Sequence, residues 1–223
     1  MLHHSDWALL VVALVVIQLI YLKMVFPRRF EAFQRSAANI RPLLEYYRPG
    51  RIPFDVFIIL RNLSFLGTLP LSITLLYRFS TNDQLNSGDW RIFLVIALAI
   101  LIVTTLQRFI LYFMGWLFRS TEGSHQQIFT KAFVLRWSTF VLLPINFVLV
   151  LLPQPSVIIA WLLGGLILLI YAWAIVRALA SSLGKQPLRV GYLFYYLCGL
   201  EILPWLVVAN HWEEVWRWSA LTV

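Results

Sequence analysis

Six runs of about 20 apolar residues, separated by more polar connections, leave this chain few ways to fold. Inside a bilayer no water is at hand for the backbone, so a segment crosses only if its N–H and C=O groups pair internally, as they do in an α-helix. At 1.5 Å of rise per residue, about 20 residues cover the roughly 30 Å of hydrocarbon. The runs fall at 7–26, 54–77, 91–113, 133–152, 156–177 and 190–209. The expected fold is therefore all-α: a polytopic bundle of six transmembrane helices forming one integral membrane domain over residues 1–223. With 61% apolar and 13% charged residues, the chain has too little polar surface to cover a water-soluble globule. The first run, "DWALLVVALVVIQLIYLKMVF", lacks both the basic start and the small-residue cleavage site of a signal peptide, so it is expected to stay as an anchor.

The basic residues give an orientation, because short loops rich in Lys and Arg stay on the cytoplasmic side. The first loop carries Arg28, Arg29, Arg35, Arg41, Arg48 and Arg51. Alternation puts Arg119 and Lys131, then Lys185 and Arg189, on that same side, whereas Asp83 and Asp89 balance the second loop and "PQP" at 153–155 is uncharged. Both termini are then expected to face out, on the side away from the cytoplasm. This arrangement accounts for the net charge of +8, so nucleic acid is not an expected partner. The single Cys198 excludes an intramolecular disulfide.

Within the first loop, Phe30, Phe33, Ala37, Ile40, Leu44 and Tyr47 recur at spacings of three and four, with arginines between them. This predicts an amphipathic interfacial helix over about 29–48, whose Arg28, Arg29, Arg35 and Arg41 face anionic head groups at the cytoplasmic surface. Two uses suit such a helix: positioning the second span, or docking a soluble partner.

Polar residues inside the spans are the candidates for function. A charged side chain at mid-bilayer costs about 2.5–3.5 kcal/mol even on the mildest insertion scale, so it needs a partner or a job. Glu201 lies near the middle of the sixth run. On the second, Arg61, Ser64, Thr68 and Ser72 share one helix face; the third offers Thr104, Arg108 and Tyr112, and the fourth Arg136, Thr139 and Asn146. The expectation is a polar seam joining spans two, three, four and six, with Glu201 paired to Arg61 or, failing that, Arg108. Arg136 and Arg177, near helix ends, are expected to snorkel. Pro70, Pro144 and Pro204 free the carbonyls of Leu66, Phe140 and Leu200; broken helices around polar groups are a transporter device, although kinks that only shape packing are commoner. The fifth span, with Ala160 and Gly164, then Ala174 and Ala178, at four-residue spacing, reads as a packing helix within the bundle or against a protein partner or second copy.

The four histidines, His3, His4, His125 and His211, show no paired ligand spacing, and neither a nucleophile elbow nor a phosphate-cradling glycine loop occurs. No metal site, cofactor or catalytic residue is expected from these patterns. "SDW" at 5–7, "FPRRF" at 26–30 and "YLCGLEILP" at 196–204 resemble a family of Bacteroidota inner-membrane proteins defined as a domain of unknown function (family 4271). The resemblance implies a Gram-negative inner membrane and one compact domain, and brings no activity with it. The leading expectation is a non-catalytic structural or assembly subunit of cell-envelope machinery. The alternative is a carrier for an anion or anionic lipid, using the intramembrane arginines and a protonatable Glu201; a third reading is an intramembrane enzyme acting on a lipid. A carrier needs a hydrated cavity reaching the arginines, and a scaffold needs a closed seam.

Overall fold

The computed structural model describes residues 6–35, 56–81, 88–117, 130–152 and 156–183, and these contain no strand. The helices are α1 (Asp6–Val25), α2 (Pro27–Arg35), α3 (Val56–Ser80), α4 (Asp89–Leu117), α5 (Thr139–Leu151) and α6 (Val157–Leu183). Residues 130–137 are also helical and lead into α5. Five stretches are long and apolar enough to cross a membrane: Asp6–Val25, Val56–Ser80, Asp89–Ile110, Thr130–Leu151 and Val157–Ala178. Each lies within a few residues of its expected run, and the chain is a multi-pass helical membrane protein. The sixth run, with Cys198 and Glu201, lies outside the described residues, as do Arg41 and the rest of the first loop beyond Arg35.

α3 is the axis of the bundle and packs against α1, α4, α5 and α6. The reason is chemical. It is the span richest in polar side chains, and placing it centrally turns Arg61, Ser64, Thr68, Ser72 and Thr74 away from lipid; all five are buried. The opposite holds for α4 and α6, whose outer faces expose Leu98, Ile102 and Phe109, and Ile158, Trp161 and Leu168. In hydrocarbon such faces carry no penalty.

α1 presents Ala8, Val12, Val15, Leu19 and Leu22, alternately four and three residues apart, as its buried stripe. Its approach to α3 is set by Gly67, where an added Cβ would lie 2.6 Å from a Val15 methyl. Small residues at crossings let transmembrane backbones come close enough for dispersion to hold them. α6 uses the same device: Ala160, Ala174 and Ala178 are buried, and a Cβ at Gly164 would meet Leu76 of α3 at 3.4 Å.

Two local features bear on how the polar groups are held. α3 runs unbroken through Pro70 and α5 through Pro144, so neither proline breaks its helix. The irregularity lies instead at Ser138, whose N–H reaches Leu135 in a tightened turn while its own carbonyl accepts from Val141 and Leu142. At the other end of the bundle, Arg78 holds the buried Asp89 through both carboxylate oxygens, with Nε to Oδ2 at 2.9 Å, which ties the end of α3 to the start of α4.

Candidate functional site

The polar side chains fall into two groups on neighbouring faces of α3. The first is closed. Ser72 donates to Oδ1 of Asn146 at 2.9 Å, and Nδ2 of Asn146 donates to the Thr68 carbonyl at 2.9 Å. The Thr68 and Thr139 hydroxyls lie 3.3 Å apart. Asn146 and Ser72 are 0% exposed, so the amide satisfies two groups of α3 with no water in reach. The seam extends to α1, where Ser64 Oγ lies 3.1 Å from Gln18 Oε1. Pairing of spans two and four agrees with the expected stripes. Gln18 was not singled out by the sequence, although a lone amide in an otherwise apolar α1 was the available signal.

Arg61 sits at the end of this seam, 4% exposed, with its guanidinium 4.6 Å from the Phe133 ring centroid and 5.6 Å from that of Phe33. It faces other helices, as expected, rather than snorkelling. Phe33 comes from α2, so the short helix after α1 acts as a lid over the cation. Phe30 and Phe33 are buried against Phe57, Phe133 and Phe140, and Phe33 meets Phe133 edge-on at 4.8 Å. α2 therefore spends its apolar face on the protein, while Arg28, Arg29 and Arg35 remain exposed. Arg35 lies 3.1 Å from Glu31, one turn back, an exposed pair that contributes little.

The second group is open. A cavity of about 100 Å³ lies between α3, α4 and the beginning of the fourth span. Arg108, Lys131 and Arg136 line it together with Asn62, Thr104, Thr105 and Gln107, and no carboxylate occurs among the described lining residues. Lys131 donates to Gln107 at 3.3 Å and stands 5.3 Å from the Tyr171 ring centroid. Arg136 turns back along its own helix, Nη1 to the Ala132 carbonyl at 3.0 Å, and is 9% exposed. Its stem thus bends toward the helix start, as a snorkelling arginine does, but ends in the cavity. Arg177 stacks on Trp173, 4.9 Å from the ring centroid.

Thus the expected single seam is two sites. Thr68, Asn146 and Arg61 belong to the closed one; Arg108 and Arg136 belong to the cavity. Tyr112, expected on the seam face of the third span, is exposed. Glu201 and its pairing lie outside the described residues. Lys131 and Gln107, as site residues, were missed: the lysine reads as a loop charge beside the span, and the glutamine is masked by its neighbour Arg108.

A central polar helix inside a shell of lipid-facing apolar helices defines the class: a polytopic helical membrane protein with polar groups gathered in its interior. Within that class, the family model described as "Domain of unknown function (DUF4271)" matches residues 8–211, and the chain belongs to this family. No curated protein and no solved structure matches it.

Proposed function

We propose that the chain is a non-catalytic structural or assembly subunit of cell-envelope machinery, resident in a bacterial inner membrane with both termini periplasmic. One observation carries the reading: the seam between α3 and α5 is dry and self-satisfied, with Ser72, Thr68 and Asn146 bonded to one another. Such a network fixes the register of helices, which a scaffold needs, and offers no path through them. The orientation is supported by the charge at the two ends. Lys23, Arg28, Arg29 and Arg35 follow α1, and Lys131 opens the fourth span on that same side, whereas the opposite side holds the neutral Arg78–Asp89 pair. The test is purification of the tagged full chain from native membranes in mild detergent. A membrane-protein partner at fixed stoichiometry supports the subunit reading; recovery as a single chain with lipid alone contradicts it.

The cavity favours a second reading, a carrier for an anion or anionic lipid. Its test is flux: proteoliposomes should move such a species faster than empty liposomes, and equal rates would remove the carrier.

A further inference from the structure

The cavity stands at one particular depth. Arg108 lies nine residues before the end of α4 at Leu117, and Lys131 lies in the helical stretch 130–137 that leads into α5. Asn62 lies in the second turn of the second span, which begins at Val56. Successive spans run in opposite directions, so these three positions share one end of the bundle. It is the end at which Arg28, Arg29 and Arg35 are also exposed, the side that attracts anionic head groups. Arg136 is five residues into the fourth helix beyond Lys131, about 7.5 Å deeper at most, and reaches back toward it.

The mouth points sideways. Leu101 and Thr105, two of the lining residues, are exposed on the outer face of α4, the same face that shows Leu98, Ile102 and Phe109 to lipid. A ligand entering there can keep acyl chains in the bilayer while its head group goes in. A volume of 100 Å³ suits a tetrahedral phosphate or about three waters. The donors suit phosphate as well. Two guanidiniums offer planar pairs of N–H groups, Lys131 adds a compact charge, and Thr104 and Thr105 add hydroxyls. Asn62 adds an acceptor: its buried Oδ1 has no hydrogen-bond partner among the described residues, and a head-group hydroxyl or a water, not the phosphate itself, would donate to it.

We propose that this cavity binds the phosphate of an anionic membrane lipid, with Arg108 and Arg136 as its principal ligands and Lys131 as the third charge. The site deepens the carrier reading by naming its ligand, yet it holds whether or not the lipid is moved. A scaffold with a resident lipid uses the same residues.

The experiment uses the full chain, stripped of lipid in a neutral detergent, with thermal unfolding followed by the fluorescence of its ten tryptophans. Phosphatidylglycerol should raise the midpoint at concentrations at least tenfold below those at which phosphatidylcholine acts, and inorganic phosphate should compete with it. Arg108→Gln with Arg136→Gln should weaken the phosphatidylglycerol response at least tenfold. Asn146→Ala, in the closed seam, should lower the midpoint yet keep the full response. If the double variant does not fold, Thr104→Leu serves instead, since it fills the void and leaves the charges; it should abolish the response. An undiminished response in the double variant or in Thr104→Leu overturns the site, as does equal action of the two lipids. A response to inorganic phosphate with none to phosphatidylglycerol overturns the lipid source. Binding without flux in proteoliposomes removes the carrier and leaves the site standing.

Discussion

On one face of α3, Thr68 and Ser72 meet Asn146 so closely that none of their polar atoms sees solvent; on the next face, Asn62, Phe65 and Leu66 look onto a void ringed by Arg108, Lys131 and Arg136. Both regions put polar groups inside a membrane protein, and they solve the problem in opposite ways. Neutral groups on facing helices can complete one another, because each hydroxyl or amide both donates and accepts. Three cations cannot complete one another. Lys131 and Arg136 keep neutral acceptors, Gln107 and the Ala132 carbonyl, and the cavity beside them leaves room for a counter-charge. Polarity inside the bilayer therefore marks two different roles, and the sign of the charge distinguishes them.

The sharpest way to break this comparison is to add a negative charge to each region. Asn146→Asp puts a carboxylate among neutral partners, with no cation beside it among the described residues, and should destabilise the chain by about 3–5 kcal/mol. Thr104→Asp places the same group between Arg108 and Arg136 and should leave stability unchanged or raise it. Denaturant unfolding in detergent reads both; equal losses would mean that the two regions do not differ in kind.

A smaller effect is expected where α1 crosses α3. Gly67→Ala drives a methyl to 2.6 Å from Val15 Cγ2, and should cost about 1–3 kcal/mol through overpacking. Val15→Ala in the same chain should recover part of that loss, whereas strictly additive losses would place the two residues apart. Smaller still is the loss from Asn146→Ala, about 1 kcal/mol, because interhelical hydrogen bonds in membranes average roughly 0.6 kcal/mol each. Arg108→Gln, measured without anionic lipid, should show no loss. An Arg108→Gln loss as large as that of Asn146→Ala would make the arginine structural.

Much of this architecture was legible from the chain alone. Five of the spans follow from hydropathy within a few residues, because helix length is set by bilayer thickness rather than by tertiary detail. The Thr68–Ser72–Asn146 contact was foreshadowed by two polar stripes with matching three- and four-residue spacing. The division of the arginines was not. Arg61 and Arg108 look alike in sequence, yet one lies between Phe33 and Phe133 and the other at the cavity, a difference set by which way α4 turns against α3. The role of α2 was half legible. Its amphipathic spacing announced a helix with a basic outer face, but that Phe33 would close over Arg61 depends on the 26–27 turn, which no periodicity encodes.

The central claim, one polar region sealed and the other open, is tested most directly by cysteine accessibility. In a Cys198→Ser background, Thr104→Cys and Ser72→Cys would each be treated with a small anionic thiol reagent in membranes and in detergent. The account predicts rapid modification at position 104, slowed by phosphatidylglycerol, and none at position 72 until the chain is unfolded. Equal modification at both positions, or modification at position 72 while position 104 stays unmodified without phosphatidylglycerol, would contradict it.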